Sequence, residues 1–181
     1  METIIKSIIL EILRDECEDE KIKISFDNDI PHLACTTYRV NYSGIFVVNV
    51  TEANEIIFNL QKIEENITEL FKFKRLISKA IRPYLKHLVL HELRHVWQTK
   101  YDKQMIIDAE NNFLYIDGYG GIRAEADANG FARGKASNRF EKLISDIFTY
   151  LQDMTGKIYV SPKDTICGLI YMVKLYSHVI L

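Results

Sequence analysis

Five consecutive residues, His91-Glu92-Leu93-Arg94-His95, combine the side chains and the spacing that chemistry at a metal ion requires. In a helix, positions i and i+4 lie one above the other on the same face, so the two imidazoles converge. Two neutral imidazoles one turn apart can both reach a zinc ion at about 2.0–2.1 Å. Glu92 is rotated off that axis yet stays on the cleft side, where it can hold a water on the open metal position rather than bind the ion. Two ligands and a general base are what metal-assisted hydrolysis of a carbonyl needs. A solvated helix face with two incidental histidines would read the same way, so the pattern needs a further ligand. His87, one turn earlier, falls outside the H-E-x-x-H pattern and reads as a surface or supporting histidine.

A catalytic zinc site takes three protein ligands plus water, and a second acidic stretch offers the third. It runs Glu125-Ala126-Asp127-Ala128-Asn129-Gly130-Phe131-Ala132. The small residues Ala124, Ala126 and Ala128 allow a helix here to pack closely on the first one. Glu125 then projects toward the metal. Asn129, one turn later, is placed to hydrogen-bond a ligand histidine. Asp127 is the competing third ligand, ranked second because the Ala-Asn spacing fits Glu125. Cys35 is not needed, since the set is complete without it.

His91-Glu92-x-x-His95 followed by Glu125-x-x-Ala128-Asn129 resembles the gluzincin metallopeptidases, whose third ligand is a glutamate on a later helix. Within that group, Glu125-x-Asp127-Ala128-Asn129-x-Phe131-Ala132 is most similar to the ImmA/IrrE-type peptidases, which carry E-x-E-A-N-x-F-A. The resemblance implies zinc ligands His91, His95 and Glu125, with Glu92 as the catalytic base and a peptide or protein as substrate. It spans roughly residues 38–135 in order of elements, with its motifs confined to 91–98 and 125–132. Asp127 stands where that family tends to have glutamate, and Arg94 where glycine is common. The competing function is a catalytically silent metallopeptidase-like binding or regulatory module with a structural metal.

The elements that must position these residues follow from periodicity. Ile4, Ile5, Ile8, Ile9, Ile12 and Leu13 mark an amphipathic helix over 3–14, and Ile22, Ile24 and Phe26 a short half-buried strand. Asp27-Asn28-Asp29 reads as a turn rather than a calcium loop, because the other ligands of an EF-hand are missing. Residues 33–40 and 44–50 read as two strands joined through Asn41-Tyr42-Ser43-Gly44, with 55–58 as one more. One of the two longer runs would be the edge on which a substrate backbone adds as a strand. A long helix is expected over 60–81, broken or restarted at Pro83, with the motif helix over about 84–99. Residues 100–122 carry little signal beyond a turn at Tyr101-Asp102-Lys103 and a glycine-rich loop at 117–121; Tyr115 or Tyr119 could there donate to a developing oxyanion. Helices follow at Phe140–Leu151 and after Ser161-Pro162. The expected architecture is α+β and zincin-like. A small, mostly antiparallel sheet packs on the motif helix, and the C-terminal half is predominantly helical.

Composition narrows the function classes. The 181 residues suit a single domain over 1–181. Hydrophobic residues make up 48% and charged ones 27%, with a net charge of −2 and interleaved signs, which argues against a bulk nucleic-acid or membrane-surface binder. No apolar run approaches a membrane span, and Glu2 and Lys6 interrupt what would be a secretory leader. Cys17, Cys35 and Cys167, an odd number at unpatterned spacings, suit a reducing, cytoplasmic compartment.

Overall fold

The computed structural model describes residues 1–17, 21–71, 74–115 and 122–155. Within them the chain runs α1 (Glu2–Glu16), β1 (Lys23–Phe26), β2 (Ala34–Thr37), β3 (Val40–Ser43), β4 (Phe46–Val50), β5 (Glu55–Phe58), α2 (Leu60–Leu70), α3 (Lys74–Tyr101), α4 (Lys103–Tyr115), α5 (Ile122–Gly134) and α6 (Arg139–Thr155). This is an α+β arrangement with a small, mostly antiparallel set of strands. None of the described helices is long and apolar enough to cross a membrane.

α3 is the element the others pack on, touching α1, α2, α4, α5, α6 and β2. Between Ala80 and Thr99 its buried residues point in every direction: Leu85, Val89 and Val96 to the main apolar core, His87 and His91 toward α5 and α6. A helix buried over most of its surface holds those side chains in fixed rotamers, which suits a site that needs precise geometry. Ile5, Ile9 and Ile12 of α1 and Ile63 and Ile67 of α2 close that core, as their helical spacing predicts.

Pro83 neither breaks nor starts this helix, contrary to the expectation for 60–99; α3 begins at Lys74 and runs through it. Proline inside a helix leaves the carbonyl four residues earlier unpaired. Here that carbonyl belongs to exposed Lys79, on the outer face, where water can take the bond. The expected single helix over 60–81 is therefore α2 plus the first turns of α3. The 100–122 stretch also differs from the expectation, since α4 occupies most of it. Asp102 opens α4, accepting from the Met105 amide through its backbone and side-chain oxygens.

The strands divide differently from the expected pair of runs. Residues 34–37 leave the hairpin and pair antiparallel with β5, which also pairs parallel with β1, giving the order β1-β5-β2. The hairpin is β3–β4, with Ser43 facing Phe46 across a turn at 44–45. Gly44 turns it at φ +62°, a value that strains any residue with a Cβ. Asn41, Tyr42 and Ser43, read as the connection, are thus strand residues. The Asp27-Asn28-Asp29 turn is tied to the start of α2. Asn59 caps that helix by accepting from Lys62 N, and its amide donates to the carbonyls of Asn28 and Ile30.

Register fixes which edge lies by the motif. The Leu33 carbonyl accepts from Asn59 N and the Thr37 carbonyl from Asn54 N. By antiparallel alternation, Ala34 and Thr36 then turn their backbone groups away from β5. Among the described residues no strand pairs with β2 on that side. The outer edge of β4 is occupied instead. Val47 N and O are clasped by the Asn111 side-chain amide from α4, at 2.7 and 2.9 Å.

Candidate metal centre

The helical period brings His91 and His95 together as expected, with ring centroids 4.7 Å apart and Nε2 atoms 3.0 Å apart. α5 lies close against α3, with small Ala124, Ala128 and Ala132 all buried at four-residue intervals; Ala124 also packs against Val47, Val50 and Ile106. Ala126 is exposed and takes no part. This approach carries Glu125, in the first turn of α5, over both histidines. Its Oε2 lies 3.1 Å from His91 Nε2 and its Oε1 3.2 Å from His95 Nε2. The Glu125 side chain is 48% exposed, whereas His91 is 2% exposed. The cluster therefore sits at the floor of an opening rather than inside a closed core.

Donor and acceptor roles decide what the cluster can hold. Gln98 Nε2 donates to the Ala124 carbonyl at 3.0 Å and to Asp127 Oδ2 at 2.9 Å, so its Oε1 is the end that meets His95 Nδ1, at 2.8 Å. His91 Nδ1 likewise meets Asn129 Oδ1 at 3.0 Å. Each imidazole thus spends its Nδ1 proton on an amide oxygen, and in the neutral form each Nε2 is a bare lone pair. Two lone pairs and a carboxylate facing one another repel unless a cation lies between them. Ligands about 2.0–2.1 Å from a tetrahedral ion are separated by about 3.3 Å, close to the spacings here. The residues fit a zinc-sized ion, and His91, His95 and Glu125 form the one such cluster among the described residues.

The electrostatics agree. Burial opposes charge on His95, but Glu125 and Glu92 outweigh it and raise its pKa to about 9. Burial also opposes ionisation of Glu125, yet the two imidazoles it bridges hold its carboxyl well below the usual range. In the metal-free protein a proton takes the place that a metal cation would fill.

The remaining candidates fall into distinct positions. Glu92 is buried on the β2 side, where Thr36 Oγ1 donates to its Oε2 at 2.8 Å and contacts its backbone carbonyl at 3.1 Å. It does not belong to the ligating cluster, although its charge is felt by His95. Asp127, the competing third ligand, turns to Arg94 with contacts of 2.6 and 3.2 Å and to Gln98. His87 is buried rather than on the surface, and it contacts Asn129 and Ser145 instead of the cluster. Burial pulls its pKa down to about 4, with the Asn129 hydrogen bond opposing. Cys35 lies on β2, its thiol pushed up by burial and then by Glu92, apart from the His91–His95–Glu125 cluster.

Sequence reasoning missed Thr36, Gln98 and Ser145. Gln98 could have been found, three residues after His95 and hence on its helix face. Thr36 and Ser145 come from distant segments with no local pattern. The side chain of Tyr115 and all of Tyr119, Cys167 and the helix after Ser161 lie outside the described residues. Comparison of the chain with family models, with curated proteins and with solved structures gave no match in any of the three.

Proposed function

We propose that the protein is a zinc-dependent peptidase of zincin-like architecture, gluzincin in its ligand set. His91, His95 and Glu125 hold the ion, and Glu92 serves as general base. The observation that carries this reading is the convergence of two imidazole Nε2 atoms and one carboxylate within 3.0–3.2 Å, each imidazole committed at Nδ1 to an amide oxygen. When bound, a zinc ion supplies a Lewis acid and lowers the pKa of a coordinated water.

The chain's own residues do the rest. Thr36 holds Glu92 Oε2, leaving Oε1 to take a proton from the attacking water and return it to the leaving amine. The outward-facing backbone of Ala34 and Thr36 offers hydrogen bonds to an extended peptide laid along β2. Thr36 would then link the strand that binds substrate to the base that works on it. β4 is the weaker choice of edge, because Asn111 already occupies its backbone at Val47. The half-exposed Glu125 favours a catalytic over a structural ion, since structural zinc sites are closed by four protein ligands.

The test is Glu92→Gln. The variant is expected to keep its metal and to lose turnover of a peptide substrate by about 10²–10⁴-fold. Wild-type turnover in that variant would remove Glu92 from the mechanism, and a wild-type protein that binds zinc but cleaves nothing in a peptide library would favour the silent module.

A further inference from the structure

We infer that Ser145 and His87 are positioning residues that act through Asn129 to keep the His91 proton on Nδ1 and its Nε2 bare. The contacts form one buried line across three helices. Ser145 Oγ on α6 lies 2.7 Å from His87 Nδ1, His87 Nε2 lies 3.1 Å from Asn129 Oδ1, and the same oxygen lies 3.0 Å from His91 Nδ1. Ser145, His87, Asn129 and His91 are each at most 5% exposed, so bulk solvent does not stand in for a missing partner. Phe148 covers the His87 ring, with centroids 4.4 Å apart.

The line has a direction. With Asn129 Oδ1 facing both rings, neutral His87 can meet it only from Nε2–H, which leaves its Nδ1 bare and the Ser145 hydroxyl as the donor to it. The oxygen end of the amide is then fixed toward both imidazoles, and His91 can satisfy it only from Nδ1. Turning the amide over reverses every role: its NH₂ would face the two rings, and the His91 proton would move to Nε2, where it blocks ligation. Asn129 alone, with one partner, has little to hold its orientation. The second imidazole supplies it, because a buried N–H left without an acceptor is destabilising.

The consequence for metal binding rests on the proposed zinc site, so the experiment separates the two. Zinc alone is titrated into wild type, His87→Phe, His87→Gln and Ser145→Ala. The His91 tautomer is read by ¹⁵N NMR of the metal-free proteins. His87→Phe fills the space beside Phe148 without a donor and is expected to lose roughly tenfold in zinc affinity, with a mixed His91 tautomer. His87→Gln, whose amide can donate to Asn129, restores most of both. Should His87→Phe fail to fold, Ser145→Ala carries the test with a smaller loss in the same direction. Wild-type affinity and an unchanged tautomer in the folded His87 and Ser145 variants would overturn the inference. If wild type binds no zinc but the tautomer still shifts in His87→Phe, the positioning line stands and the metal reading fails.

Discussion

His91 and His95 sit one turn apart on the same face of α3, yet their outer nitrogens end in different surroundings. The His91 line, through Asn129 to His87 and Ser145, is buried, and no charged side chain takes part in its hydrogen bonds. The His95 line runs through Gln98 to Asp127 and ends on Arg94, an ion pair whose members are 20% and 29% exposed. The Arg94 guanidinium also lies 3.8 Å over the Trp97 ring, near the surface. One imidazole is held by the order of donors and acceptors alone, the other by an order that charge anchors. Arg94 and Asp127, the two positions read from the sequence as departures from the expected motif, contact each other.

The largest effect is expected from breaking the buried line at its shared atom. Asn129→Leu leaves two buried imidazole N–H groups without an acceptor. It should weaken zinc binding by about 100-fold and, at roughly 1–3 kcal/mol per group, lower the melting temperature of the metal-free protein by about 5 °C or more. Zinc titration and thermal unfolding on the same samples check both.

The two lines should also differ in how pH acts on the metal-free fold. His87 has its pKa lowered to about 4, so the unfolded chain binds the extra proton as pH falls; its contribution is present above about 6.5 and lost toward 4. His95 has its pKa raised to about 9, so its contribution is present below about 6.5 and lost as pH rises through 9. Denaturant melts should show His87→Gln flattening the acid limb of stability and His95→Gln the alkaline limb, each by up to about 3 kcal/mol. The same proton on His95 must leave when zinc enters. Below pH 9 zinc affinity should therefore rise about tenfold per pH unit, with one proton released, measurable by calorimetry in buffers of different ionisation heat.

The smallest effect belongs to the charged end. Arg94→Met should weaken zinc binding by no more than about fivefold, since a partly exposed ion pair is worth up to about 1 kcal/mol. High salt should reduce the difference between variant and wild type. The Asn129→Leu loss should not respond to salt, and equal salt dependence in both would erase the distinction between the lines.

What could be read in advance followed the helical period. His91, His95, Glu125 and Asn129 occupy sites whose mutual positions depend only on rise and turn, plus one close helix contact permitted by alanines. The core stripes of α1 and α6 were legible for the same reason. Partition of residues 33–50 was not, because a run of β-formers does not say which neighbour it pairs with; β2 found β5 and β3 found β4. α4 was hidden by polar residues such as Asn111, whose amide grips β4 instead of facing solvent. Thr36 reaches Glu92 across 56 positions, a contact that only the folded sheet creates.

The most direct measurement is the zinc content and affinity of wild type beside Glu125→Ala and Asp127→Ala. The account predicts about one zinc per chain in wild type. That zinc should be lost or severely weakened in Glu125→Ala and kept, with modestly reduced affinity, in Asp127→Ala. No zinc in wild type after dialysis against the metal, or loss in Asp127→Ala with retention in Glu125→Ala, would contradict it.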